Sequence, residues 1–134
     1  MEKLIEALKQ EHQQIAETLH KVNELGIYSD QGKALLLESK SALISHLMRE
    51  DREFYPILYE AALTDSALNR TLEIFANDME TISKTALYFF EKYKEGGEGI
   101  EFARDFGRLF SVLQMRIGRE ERILYPEYLK LEMR

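Results

Sequence analysis

The sequence predicts an all-α protein: an antiparallel up-down-up-down four-helix bundle made of two helical hairpins related by a pseudo-twofold axis. Three observations predict it. Only two prolines and seven glycines interrupt 134 residues, and the stretches between them are rich in Leu, Glu, Lys, Ala and Arg, all good helix formers. Apolar residues recur at spacings of three and four in four separate stretches. The second half of the chain repeats the pattern of the first. The length suits one domain over residues 1–134 with a continuous core.

The first helix carries Ile5, Leu8, His12, Ile15, Leu19 and Val22 on one stripe, with a histidine in its middle. "NELGIYSDQG" ends it, with Gly26 as the C-cap. The second helix is expected from about residue 31 to 62, with Leu36, Leu43, His46, Leu47, Glu50, Phe54 and Ile57 inward. Pro56 lies inside it, so its last turns are expected to bend. Thr64, Asp65 and Ser66 are N-cap candidates for the third helix. That helix shows Leu68, Leu72, Phe75, Met79, Ile82, Ala86, Phe89 and Tyr93 at heptad spacing, and "KEGGEG" at 94–99 ends it. The fourth runs from about 100 to 130, with Phe106, Leu109, Leu113, Arg116, Glu120 and Ile123 inward.

A shift of 67 residues lays Ile5 on Leu72, Leu8 on Phe75, His12 on Met79 and Ile15 on Ile82. A shift of 70 lays Leu43 on Leu113, His46 on Arg116, Glu50 on Glu120 and Tyr55 on Tyr125. Two hairpins with one apolar face each bury those faces best against one another.

Five polar residues fall on the inward stripes: His12, His46, Glu50, Arg116 and Glu120. Buried charge is costly unless paired or metal-bound. His46 and Glu50 stand one turn apart on one face, and imidazole with carboxylate suits a borderline metal ion. His12, His46, Glu50 and Glu120 are therefore candidate metal ligands for one iron or zinc ion. Arg116, Tyr55 and Tyr125 are candidates for contacting that cofactor, although packing is the commoner role of a tyrosine before a proline. The competing reading needs no metal, because a guanidinium fork at Arg116 can neutralise both carboxylates. His20 lies off the stripe and reads as a surface residue.

The net charge is −6, and the basic residues are interleaved with Glu, which argues against nucleic acid as a partner. No run approaches the length of a membrane span, and the opening "MEKLIEALKQEH" lacks an apolar signal region. A cytoplasmic protein is expected. With no cysteine, thiolate ligation and disulfides are excluded.

"EHQQI", "HLMREDREFYP" and "RIGREERILYP" resemble the hemerythrin-like, or HHE cation-binding, domain family over essentially the whole chain. The resemblance implies a four-helix bundle around a non-haem di-iron centre, with histidines from all four helices and bridging carboxylates from the second and fourth. It implies binding of a small diatomic ligand, handling or sensing of iron, oxygen or nitric oxide, or use as a regulatory domain with a protein partner. His12, His46, Glu50 and Glu120 match family ligand positions, with Glu121 the alternative to Glu120. Met79 and Arg116 stand where the third and fourth helices offer histidine. A thioether and a guanidinium are poor ligands for iron, so a di-iron centre and oxygen carriage are not expected. The reading that remains is one metal ion bound for sensing or sequestration. The alternative is a metal-free interaction module on the same scaffold, with an enzyme ranked last.

Overall fold

A computed structural model describes residues 2–26, 29–95 and 99–132. The described residues are helical apart from short connections, and no strand occurs among them. Helix α1 spans Glu2–Leu25 and α2 spans Asp30–Arg49. A π-helical turn, π1, spans Glu50–Phe54 and runs into α3, Tyr55–Ala62. After a short turn come α4, Ser66–Lys92, and α5, Gly99–Arg119. A second π-helical turn, π2, spans Glu120–Leu124 and runs into α6, Tyr125–Glu132. Two of the residues of "NELGIYSDQG" and three of "KEGGEG" lie outside the described residues.

The ends form where the sequence places stop and start chemistry. Gly26 takes φ 70° and its N–H bonds Val22 O at 2.8 Å, the left-handed cap a glycine adopts without Cβ strain. The Ser29 hydroxyl accepts from Gly32 N at 3.0 Å and caps α2. Of the three candidates before α4, Asp65 is the cap, accepting from Leu68 N at 3.1 Å.

The expected bend at Pro56 is a π turn. Pro56 has no N–H to give the Arg52 carbonyl, and its ring would crowd that carbonyl in a continuous α-helix. The Tyr55 N–H instead bonds Glu50 O, five residues back. The same exchange occurs before Pro126, where Tyr125 N–H bonds Glu120 O. Each turn takes in an extra residue, so the inward stripe moves on by one. Leu58 is fully buried and Ile57 only partly so. Ile123, expected inward, is 43% exposed, and Leu124 and Tyr125 are buried in its place.

The helices pack as α1 on α2 and α5, α4 on α5 and α3, and α3 on α6. The buried apolar residues form two clusters. One gathers Ile15, Leu19, Val22, Leu43, Ile82, Phe89, Phe106 and Leu113, the other Ile5, Leu8, Phe54, Leu58, Leu72, Phe75, Leu124 and Tyr128. Each fully buried large side chain contributes about 1.5–3 kcal/mol by leaving water. On α1, His12 falls between Leu8 of one cluster and Ile15 of the other. Along α2–π1, His46 and Glu50 fall between Leu43 and Phe54, and along α5–π2, Arg116 and Glu120 fall between Leu113 and Leu124. A polar belt therefore divides the core.

Candidate metal centre

The belt consists of His12, His46, Glu50, Arg116 and Glu120, none more than 5% exposed. One donor atom from each of His12, His46, Glu50 and Glu120 lies within 4.8 Å of the others. His46 and Glu50 reach this point together because four residues make one turn of α2. Glu120 and Arg116 have the same spacing on the α5–π2 segment.

Each imidazole is held from behind by a carboxylate. His46 Nδ1 is 2.8 Å from Glu11 Oε1, and His12 Nδ1 is 3.2 Å from Glu121 Oε2. An ionised carboxylate only accepts, so each Nδ1–H donates and each Nε2 turns its lone pair into the cluster. This is how metal-binding histidines are commonly oriented. Glu11 is itself fixed by Arg49, whose Nη1 donates to Glu11 Oε2 at 2.7 Å and whose Nε donates to Glu53 at 3.0 Å.

Inside the cluster, His46 Nε2 stands 2.9 Å from Glu50 Oε1, and His12 Nε2 stands 3.3 Å from Glu120 Oε1. Each of these approaches is satisfied only by a proton or a cation between the two atoms. His46 Nε2, Glu50 Oε1 and Glu120 Oε1 are buried and have no hydrogen-bond partner among the described residues. Donors sharing one ion at about 2.1 Å stand roughly 3.0–3.4 Å apart. Two donor pairs have that spacing and all four donors lie within 4.8 Å, so the cluster could hold a metal ion.

The remaining carboxylate oxygens are tied across the two halves of the chain. Tyr55 donates to Glu120 Oε2 at 2.6 Å, and Tyr125 donates to Glu50 Oε2 at 3.2 Å. The Tyr125 hydroxyl is also 3.2 Å from His12 Nε2. The π turns make this possible, because they bring Glu50 and Tyr55, and Glu120 and Tyr125, to the same buried side of their segments.

Arg116 is beside the carboxylates without forming the fork that both could accept. Its Nη2 is 3.6 Å from Glu50 Oε1 and its Nε is 3.6 Å from Glu120 Oε2. Its buried Nε has no hydrogen-bond partner. Burial works against its charge, but Glu120, Tyr55 and Glu50 outweigh burial and raise its pKa. A fixed positive charge thus faces both carboxylates.

Protonation is divided unequally. Burial, then the neighbouring Glu120 charge, pushes the Glu50 carboxyl well above the usual range. Burial also opposes the Glu120 charge, but His12, Glu50, Arg116 and Tyr55 together bring it down to about 2. Burial lowers His46 against the pull of Glu11 and Glu120. Burial and the carboxylates raise both tyrosines.

On its apolar side the cluster meets a cavity of about 10 Å³ lined by Ile15, Leu43, Leu47, Leu113 and Ile117 with His12, His46, Arg116 and Glu120. That is about the space of one water molecule.

The structure brings together all seven residues that the sequence singled out. Between Glu120 and Glu121, Glu120 is inward and Glu121 supports His12 from the rim. Met79 is partly buried against the second apolar cluster. Sequence reasoning missed Glu11 and Arg49. The available signal was a carboxylate immediately before His12, and nothing local connects it to His46, 35 residues on.

A family model described as the hemerythrin HHE cation-binding domain matches residues 2–128. No curated protein and no solved structure gives a significant match. No helix of the described residues is long and apolar enough to cross a membrane.

Proposed function

Because this chain belongs to the hemerythrin HHE cation-binding domain family, we propose that it binds one metal ion, iron or zinc, through His12, His46, Glu50 and Glu120. The ion serves sensing or sequestration rather than oxygen transport. The bundle is read as one domain of two antiparallel hairpins about a pseudo-twofold axis, with the site where the hairpins meet. One observation carries the reading. Three buried donor atoms, His46 Nε2, Glu50 Oε1 and Glu120 Oε1, have no hydrogen-bond partner yet converge with His12 within 4.8 Å. Orphaned buried acceptors are costly, and an ion satisfies all of them at once. When bound, the ion supplies Lewis acidity and, if it is iron, one-electron chemistry. The chain's own part is to aim two imidazoles from Glu11 and Glu121, to hold two carboxylates from Tyr55 and Tyr125, and to keep out bulk water. The adjoining cavity has about the space of one water molecule, so a diatomic ligand beside the ion requires its apolar lining to move.

A second reading is favoured by Arg116, which stands 3.6 Å from each inner carboxylate. In it the guanidinium balances the carboxylates, no ion is needed, and the scaffold serves a protein partner. Elemental analysis separates the two. Protein purified without chelator, and protein reconstituted with ferrous iron or zinc and desalted, is expected to carry one ion per chain. Substituting His46→Ala and Glu50→Ala together is expected to abolish uptake. No ion in the reconstituted wild type overturns the metal reading.

A further inference from the structure

The fixed charge that faces the inner carboxylates is Arg116. Arg49 is shared by Glu11 and Glu53, and Asp78 pairs with Arg119, so these charges are met outside the belt, where solvent screens what they leave over. What remains facing the cluster is Glu50, Glu120 and Glu121 against Arg116. With an ion bound and Glu50 ionised, the two inner carboxylates and the rim carboxylate of Glu121 against one guanidinium leave two negative charges, which one divalent ion neutralises. A trivalent ion leaves an uncompensated positive charge in a belt whose members are at most 5% exposed, where uncompensated charge is poorly tolerated. A second divalent ion leaves two. Arg116 is the only member of this balance with a fixed positive charge, and no proton loss can remove it.

We propose that Arg116 sets the charge of the ion, making the cluster select a single divalent ion over a trivalent one. This rests on the metal-binding reading above and assigns Arg116 a specificity role that is not ligation. For iron, it means that the site favours the ferrous form. Arg116 acts through space on the ion and through the two carboxylates that it faces. Glu121 acts with the opposite sign from the far side of His12.

The test uses two ions of similar size that do not change oxidation state, Zn²⁺ and chelator-buffered Ga³⁺, titrated into metal-free full-length protein by calorimetry. The readout is the ratio of their affinities. Arg116→Met keeps much of the side-chain volume and removes the charge, and is expected to raise the Ga³⁺-to-Zn²⁺ affinity ratio at least tenfold. Glu121→Gln keeps an acceptor for His12 and removes the opposite charge, and is expected to lower the ratio. A ratio within twofold of wild type in folded Arg116→Met overturns the role of Arg116, while leaving metal binding intact. If circular dichroism shows that Arg116→Met does not fold, Glu121→Gln decides, and an unchanged ratio there overturns the proposal. A wild-type chain that takes up no Zn²⁺ overturns the metal reading itself and this inference with it.

Discussion

Tyr55 donates its hydroxyl to Glu120 across 65 residues of sequence, at 2.6 Å and fully buried, while Tyr125 donates back to Glu50 at 3.2 Å. Each half of the chain thus holds the inner carboxylate of the other. The short bond to an ionised group is the stronger of the two. Tyr55→Phe is expected to lower stability by about 1.5–3 kcal/mol and Tyr125→Phe by about 0.5–1.5 kcal/mol, measured by urea unfolding of metal-free protein. Equal or negligible losses would show that the crossed pair does not fasten the halves.

The π turns set which side chains face inward beyond the site. Leu124 is fully buried and Ile123 is not, although 3.6-residue periodicity places Ile123 inward. Leu124→Ala is expected to cost about 2–5 kcal/mol, and Ile123→Ala to stay within about 0.5 kcal/mol of wild type. The reverse order would mean that α5 continues to Pro126 without a π turn.

Glu11 contacts no other member of the belt but holds His46 Nδ1 at 2.8 Å. Removing such an orienting carboxylate weakens metal affinity by roughly 10–100-fold. Glu11→Ala is expected to fall in that range by competition with a chromophoric chelator, with one ion per chain still reached at saturation. An unchanged dissociation constant would reduce Glu11 to a surface ion pair with Arg49.

The pH response follows from the direction of each shift. His46 is held below 6.5 by burial, so the unfolded chain takes up its proton first, and stability is lost as pH falls through 6.5. Glu120 sits at about 2 against an ordinary 4.5. Its contribution is present above 4.5 and is lost as pH falls from there toward 2. Glu50 runs the other way: its raised pKa favours the fold while it stays protonated, and that contribution is lost as pH rises through the folded value. The Tm of metal-free protein is expected to fall below pH 4.5, where Glu120 loses its contribution and Glu50 has none left to gain, while above it the His46 and Glu50 contributions oppose each other. An ion competes with a proton for Glu50, so proton release on uptake is expected to be larger at a pH where Glu50 is protonated than at a higher pH where it is ionised. Calorimetry in two buffers of different ionisation enthalpy, repeated across pH, measures this, and a release that does not change with pH would remove Glu50 from the ligands.

The second half of the chain keeps part of the support for a site that it does not complete. Asp78 and Arg119 pair, at positions that correspond by the 67- and 70-residue shifts to Glu11 and Arg49. Arg116→His with Met79→His is therefore expected to raise iron stoichiometry above one per chain, measured by elemental analysis and visible absorption. Arg116→Ala is expected to destabilise metal-free protein by roughly 3–5 kcal/mol, because it leaves buried carboxylates without their cation. If Arg116→Ala is as stable as wild type and the histidine variants take up no more iron, Arg116 has no part in the site.

The helices and the inward histidines were legible because a regular α-helix repeats every 3.6 residues, and His12, His46, Glu50, Arg116 and Glu120 all precede or open the π turns. Legibility ends where the repeat changes: Ile57 and Ile123 were misplaced by the one residue that each π turn takes in. The "YP" repeats marked Tyr55 and Tyr125, but their partners lie in the opposite half and follow from packing alone. Glu11 was missed for the same reason, since its partner is on another helix. Arg116 is near both carboxylates as its position implied, yet at 3.6 Å from each it acts as a neighbouring charge rather than as the two-pronged hydrogen-bonding clamp that a guanidinium can form.

The extra residue in each π turn also has a meaning for inheritance. Deleting one codon between Glu50 and Tyr55 would leave the tyrosine four residues after Glu50, the spacing at which an ordinary α-helix keeps both on one side, but would still set a proline ring against the carbonyl four residues before it. Adding one codon there is the change that would turn Tyr55 from Glu120 and Leu58 from the core, by about 100° around the helix. The same holds between Glu120 and Tyr125. These two five-residue windows are places where the gene tolerates substitutions of exposed residues but not an added residue, and a descendant that gained one codon there would lose the crossed tyrosines while its neighbouring codons still spelled the same motif.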